Sequence, residues 1–302
     1  MRFKINRRKF ITLSGTAAGA LMITPQLFAK NHHRPVRFGV ITDSHYADRD
    51  DGGTRFYRGV LDKIRESINV FNKEKVDFVI HLGDFKDEDL NKNSEDTLSY
   101  LKTIEAEYAK YKGPRFHCLG NHDVDSITKQ QFLAHVENTG IAKDKSFYSF
   151  DNQDHHFVVL DANFDKNDKD HFFKEGADFQ DVNIPESQLK WLKKDLKKTK
   201  LPTIVFCHHP LFEYNKGEYV LHVSNRLAVR EILEKSGKVN AVIHGHVHEE
   251  TFKEINGIHY ITQLGMVDHE GLENNSFAIV EFDGATLALN GYKRTASKKI
   301  TV

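Results

Sequence analysis

The chain has 302 residues, 39% of them apolar, with 43 basic and 43 acidic side chains, enough to bury a full core in one large domain and too apolar for intrinsic disorder. The charge balance conceals an asymmetry: residues 1–29 hold Arg2, Lys4, Arg7, Arg8 and Lys9 and no acidic residue, leaving 38 basic against 43 acidic in the remainder. A mildly acidic body argues against nucleic acid or an anionic membrane as the main partner.

In chain order, the basic stretch Asn6-Arg7-Arg8-Lys9-Phe10-Ile11 leads into an apolar run over residues 11–23, then Pro25 and the small residue Ala29. Basic head, modest apolar middle and small-residue exit make a secretory signal over residues 1–29. Its apolar middle of about 13 residues is too short for a bilayer that needs ~20, so no stable membrane insertion is expected after processing. The paired arginines before Lys9-Phe10-Ile11 resemble the twin-arginine pattern, which implies a passing partnership with that export machinery and a folded protein delivered to the periplasm or the exterior. The alternative is a basic amphipathic tail that stays attached. Cys118 and Cys207 sit inside apolar strand-like runs and read as buried free thiols.

The body alternates strands with helices. Residues 36–42 form an apolar run bounded by Pro35 and Asp43, as a strand buried on both faces requires. Residues 55–74 place Val60, Leu61, Ile64, Ile68 and Phe71 on one helical face. A strand over 76–82, a helix over 97–111 and a strand over 115–119 complete a β-α-β-α-β run, which predicts a parallel sheet with right-handed crossovers. Residues 147–150 and 156–160 read as a hairpin, 186–198 as an amphipathic helix, and 203–207 and 239–243 as buried strands separated by a helix near 226–235. Strand-like stretches at 258–262, 277–282 and 286–289 suggest a closing meander, and a second sheet packed on the first accounts for the whole better than a second domain.

Nearly every core strand ends in residues able to bind a metal. The first ends Asp43-Ser44-His45, where positions i and i+2 point to the same side and can grip one ion. The others end Gly83-Asp84, Gly120-Asn121-His122-Asp123, His208-His209-Pro210 and His244-Gly245-His246-Val247-His248. Alone, a fragment such as Asp-x-His or His-His-Pro is more often a capped turn than a ligand set. Five such fragments, all at strand ends and in one consistent order, point to one site, at the sheet edge where α/β proteins bind ligands.

The series Asp43-x-His45, Gly83-Asp84, Gly120-Asn121-His122-Asp123, His208-x-Pro210 and Gly245-His246-x-His248 resembles the calcineurin-like metallophosphoesterase superfamily over residues 36–295. Within it, residues 43–48 followed by Gly53-Thr54-Arg55-Phe56-Tyr57-Arg58 resemble the manganese-dependent ADP-ribose and CDP-alcohol diphosphatases. The resemblance implies an α/β fold, a four-layer αββα sandwich of two packed mixed sheets. It also implies two divalent or trivalent ions (Mn, Fe or Zn), one held by Asp43, His45 and His248, the other by Asn121, His208 and His246, with Asp84 bridging. Oxygen and imidazole ligands without thiolate suit such first-row ions. Two cations sharing a carboxylate activate water and stabilise both oxygens of an in-line displacement at phosphorus.

His122 is the candidate catalytic residue that is not a ligand: protonated, it donates to the leaving oxygen, with Asp123 or another carboxylate orienting it. The alternative is a third ligand or a structural imidazole. Arg55, Tyr57 and Arg58 are candidate substrate contacts, a guanidinium there forking onto phosphate or else sitting at an exposed helix start. His209 either faces the substrate or backs the ligands, while His81 and His244 read as hydrogen-bonded core histidines. The polar segment 164–183, with Phe172, Phe173 and Phe179, is a candidate lid or a solvated excursion. The expected activity is hydrolysis of small-molecule phosphoesters, first of nucleotide-diphosphate type. The alternatives are a phosphomonoesterase or phosphodiesterase, or an inactive metal-binding protein.

Overall fold

All ten expected strands and all four expected helices are present in the computed structural model, which describes residues 34–215 and 219–302. The signal segment over residues 1–29 lies outside the described residues. The first half supplies β1 (Val36–Ile41), α1 (Val60–Glu74), β2 (Phe78–His81), α2 (Ser94–Tyr108) and β3 (Arg115–His117). As expected, β1, β2 and β3 pair in parallel. Next come α3 (Lys129–His135), the antiparallel hairpin β4 (Tyr148–Asn152) and β5 (His155–Leu160), α4 (Glu186–Lys198), β6 (Thr203–Cys207), α5 (Arg226–Ser236) and β7 (Val239–His244). The chain closes with β8 (Thr251–Ile255), β9 (Ile258–Thr262), β10 (Ser276–Phe282), β11 (Thr286–Lys293) and β12 (Lys298–Thr301).

One sheet has the order β12-β11-β10-β1-β2-β3 and the other β4-β5-β6-β7-β9-β8. Residues that alternate along a strand face opposite layers. Phe38 and Val40 of β1 therefore face the second sheet, where Phe157, Val159, Ile204, Phe206, Ala241 and Ile243 meet them. Phe38 stacks on Phe78 at 4.8 Å and meets Phe157 and Phe206 edge-on at 5.6 and 5.8 Å. Each such buried ring stabilises the sandwich by about 1.5–3 kcal/mol. The opposite faces are covered by α1, α2 and α3 on the first sheet and by α4 and α5 on the second. The architecture is the expected four-layer αββα sandwich. Among the described residues no helix is long and apolar enough to cross a membrane, and Cys118 and Cys207 are buried free thiols.

Several expectations are corrected. The tail is not one meander: β9 extends the second sheet in parallel with β7, whereas β10 crosses back to pair antiparallel with β1 and leads β11 and β12. The domain thus runs beyond residue 295, since β12 pairs with β11 through Lys298↔Leu289 to Thr301↔Thr286. Helix α1 begins at Val60 rather than 55, because Arg55 forms short backbone bridges with Gly52 and Asp268. Helix α2 begins before Thr97, because the Asn93 side chain accepts from the amides of Glu95 and Asp96 and caps it there. The unanticipated α3 opens with a capping box between Thr128 and Gln131.

Candidate metal centre

The expected ligands sit where the strands stop, and the backbone there is strained. Asp43, His45, Asp84, His246 and His248 all have positive φ, between 47° and 72°. A non-glycine residue in that region costs about 1–3 kcal/mol and persists only where its surroundings over-determine it. Here the chain turns out of each strand at once and directs the side chains inward. Two glycines permit the closeness. A Cβ on Gly83, itself at φ 106°, would lie 2.6 Å from the Gly120 nitrogen and from His208 Nδ1. A Cβ on Gly120 would lie 2.2 Å from the Asp84 backbone nitrogen and Oδ1.

The side chains converge. His248 Nε2 is 3.3 Å from Asp43 Oδ1, His208 Nε2 is 3.2 Å from Asp84 Oδ2, and His45 Nε2 is 3.5 Å from Asp84 Oδ2. Ligand atoms fall within 4.8 Å of one another in five overlapping sets: Asp43, His45 and His248; Asp43, Asp84 and His208; His208, His209 and His246; His45, Asp84 and His122; and Asp87, His122 and Asp125. Asp84 touches both ends of the series, the place expected of a bridging carboxylate. Asn121 is buried with its Oδ1 unpartnered, and the adjacent His122 N–H donates to Asp84 Oδ1 at 2.8 Å.

The tautomers fit cation binding. His45 Nδ1 faces Asp87 Oδ2 at 3.2 Å, His248 Nδ1 faces Asp268 Oδ2 at 2.8 Å, and His208 Nδ1 faces the Leu82 carbonyl at 2.9 Å. Each acceptor fixes the proton on Nδ1 and turns the Nε2 lone pair toward the centre. Two such nitrogens, on His45 and His248, lie only 3.2 Å apart, which requires a proton or a metal ion between them.

The carboxylates stay ionised despite burial. Burial alone would raise Asp43, but the His248 imidazole outweighs it and holds the group below its ordinary range. Asp84 is likewise held well below, its burial offset by His208 and His122. His45 falls to about 4 through burial and the nearby Arg55, and His246 to about 3 through burial and His208, so both are neutral ligands at pH 7. Burial opposes protonation of His208 and His248, but Asp84 and Asp43 push them up to about 9, so a metal must displace a proton from each. With those protons displaced, ionised oxygens, imidazoles and the Asn121 amide, at this spacing and without a thiolate, fit two divalent cations.

His122 differs from the ligands. Its side chain is 24% exposed, and its Nδ1 lies 3.6 Å from Asp87 Oδ1 and 3.7 Å from Asp125 Oδ2. Burial opposes its protonation, but Asp87 and Asp84 prevail and raise its pKa well above that of a free imidazole. The orienting carboxylates are therefore Asp87 and Asp125, and Asp123 is corrected to a different role. Asp123 is 0% exposed and accepts the amides of Asp84, Phe85 and Gly120 at 2.8–2.9 Å, so it ties the two ligand turns together. Lys86, fully buried, pairs with Asp125 and donates to the His122 carbonyl.

Of the three expected substrate contacts, only Arg55 reaches the centre, its Nη1 3.4 Å from Asp87 Oδ2. Tyr57 is a core residue with the Arg49 guanidinium 4.0 Å from its ring centroid. Arg58 is half exposed and paired with Asp48 and Asp50. His209 is 0% exposed against His208 and His246, so it does not face an open substrate cleft. His81 and His244 are hydrogen-bonded core histidines as expected: His81 is bonded to Ser44 Oγ and accepts from the Gly83 amide, and His244 is bonded to the Cys207 carbonyl. In segment 164–183 Phe173 is anchored in the core and stacks at 3.8 Å on Phe179, which lies 5.8 Å from the His122 ring.

Sequence reasoning missed Asp87, Asp125 and Asp268. Asp87 had a usable signal, since it stands three residues after Asp84 at the same strand end. Asp268 had none, because a different part of the chain positions it: Lys63 of α1 donates to the carbonyls of Met266, Asp268 and His269 at 2.8, 3.0 and 2.6 Å and shapes that loop.

Comparison with known proteins agrees with this geometry. A manganese-dependent ADP-ribose/CDP-alcohol diphosphatase of Oryza sativa is 24% identical over 74% of this chain and 81% of that protein. A protein of the same name from Arabidopsis thaliana is 24% identical over 74% of this chain and 83% of that protein. The crystal structure of a dimetal phosphatase from Danio rerio superposes with a TM-score of 0.75 at 22% identity, covering 88% of this chain and 98% of that one. The calcineurin-like phosphoesterase profile matches residues 36–250. With overlapping donor sets at strand ends, a carboxylate common to two of them and this match, the chain belongs to the calcineurin-like phosphoesterases, a family of metal-dependent hydrolases of phosphoesters.

Proposed function

We propose that the protein hydrolyses the diphosphate linkage of small nucleotide-diphosphate substrates of the ADP-ribose or CDP-alcohol kind, with water attacking phosphorus. The observation that carries the reading is Asp84 shared between donor sets on either side, with the partly exposed His122 beside it. When bound, two cations supply Lewis-acid stabilisation of phosphoryl charge and lower the pKa of water toward ~7. The chain's own groups do the rest. Asp43 and Asp84 bring fixed negative charge, and neutral His45 and His246 add none, so the loaded site retains positive charge for a phosphate. His122, kept protonated by Asp87 and Asp84, donates from its ring to the departing oxygen. Arg55, next to Asp87, is placed to pair with the second phosphoryl group of a diphosphate. The names of the plant relatives support this substrate class.

The test is a panel of ADP-ribose, CDP-choline, bis-p-nitrophenyl phosphate and p-nitrophenyl phosphate with protein loaded with Mn, Fe or Zn. The expected order places the two diphosphates first, with activity abolished by chelation. Preference for p-nitrophenyl phosphate would reassign the protein as a phosphomonoesterase, and no turnover with any metal would make it a binding protein. The reading includes export: the twin-arginine-type stretch at Asn6–Ile11 directs the folded protein out of the cytoplasm, and fractionation of cells carrying Arg7→Lys and Arg8→Lys together checks it.

A further inference from the structure

Several buried polar atoms without a hydrogen-bond partner lie at the metal centre. Asn121 Oδ1 and His208 Nε2 belong to that group, as atoms with lone pairs turned to a cation should. His209 carries the same mark on both ring nitrogens and is 0% exposed. Five other imidazoles packed around the centre are each fixed through at least one nitrogen: His45 by Asp87, His81 by Ser44, His208 by Leu82, His244 by Cys207 and His248 by Asp268. Leaving both nitrogens of an imidazole dry and unbonded is costly, and nothing in the protein offsets that cost at His209.

Its position shows what would. Adjacent side chains in a strand point to opposite faces. The chain bends at His208 and His209 directly after β6, so the two side chains converge instead. The His209 ring centroid is 4.4 Å from that of His246 and 5.0 Å from that of His208, and ligand atoms of all three lie within 4.8 Å of one another.

We propose that His209 is an additional ligand at the position of Asn121, His208 and His246, and that this third imidazole makes the position select zinc or ferrous iron over manganese. The inference rests on the two-metal reading above. Imidazole nitrogen favours the later first-row ions, whereas carboxylate, carbonyl and water suit manganese. The two positions of one centre therefore differ in metal preference, the Asp43 position having two imidazoles against three.

The experiment strips the full-length protein with a chelator and titrates zinc and manganese separately against a chromophoric competitor, comparing wild type with His209→Leu and His209→Gln. Wild type is expected to bind two ions, with zinc tighter than manganese at one position. Both variants should weaken zinc at that position by about 10–100-fold, the scale set by loss of a supporting group at a metal site, and leave the other unchanged. The melting temperature of metal-free His209→Leu should equal or exceed that of metal-free wild type, because leucine removes an unbonded imidazole. Two ions bound with wild-type affinities in both variants would overturn the assignment of His209 alone. Wild type that binds no pair of ions would overturn the two-metal reading beneath it.

Discussion

The donor set of Asp43, His45 and His248 and the set of His208, His209 and His246 are held by different means. In the first, each imidazole hands its Nδ1 proton to a buried carboxylate, Asp87 or Asp268. In the second, His208 leans on the neutral carbonyl of Leu82, and His209 leans on nothing. Carboxylate and carbonyl both fix the tautomer of the imidazole in front of them, but a charged carboxylate raises its basicity more than a neutral carbonyl does. One position thus depends on charge placed behind its ligands and the other on the number of nitrogens in front. The first should be sensitive to single charge removals that the second ignores.

The largest effect should come from the group common to both. Asp84→Ala is expected to release ions from both positions and lower kcat on the order of 10⁴-fold, the equivalent of several kcal/mol of lost transition-state stabilisation. Elemental analysis beside kcat checks it, and a variant that retains two ions and a tenth of the rate would break the idea of a shared carboxylate. His122→Ala should leave both positions filled yet cost about 10²–10³-fold in rate, more for substrates with poor leaving groups. Loss of an ion from that variant would make His122 a ligand instead.

Asp87→Asn and Asp268→Asn sharpen the comparison directly. Each should weaken the position of His45 and His248 by about 10–100-fold while leaving the other position untouched. Equal weakening of both positions, read from competitor titrations, would show that the brace acts on the whole centre rather than on one set.

The smallest expected effect is at His156, an imidazole held by carboxylates alone. Its Nδ1 meets Asp151 at 2.6 Å and its Nε2 meets Asp195 at 2.8 Å, so both nitrogens can donate only as imidazolium. Burial lowers its pKa, but Asp195 and Asp151 outweigh burial and raise it above 6.5. A raised folded value means stability that is complete below the unfolded pKa and lost as pH rises through the folded one. Between pH 6 and 9 the melting temperature of wild type should fall relative to that of His156→Gln. Parallel curves would show that carboxylates alone contribute nothing measurable through an imidazole here.

The readable parts of this protein are those where the signal lies within a few residues. Buried strands announce themselves as apolar runs, and β6 and α4 lie where the runs and the helical period place them. The short α3 carries too few turns for a period, although its Thr128-x-x-Gln131 box was available. Strands β8 and β12 escaped because their burial is partial and their alternation weak. Asp123 was assigned by adjacency to His122, but adjacent side chains on a tight turn diverge, and this one turned to the backbone amides of Asp84, Phe85 and Gly120. Tyr57 and Arg58 follow the first metal motif closely in sequence, yet one points into the core and the other toward Asp48 and Asp50.

The order of residues alone was enough to place seven candidate ligands at the ends of core strands, because strand, turn and side chain are written consecutively. Which groups stand behind those ligands was decided only when two sheets packed together. Asp268 reaches His248 from a loop that buried Lys63 shapes from another layer, and His209 meets His246 because β6 and β7 are neighbours. Such pairings depend on distances across the sandwich, and local spacing along a chain carries no record of them.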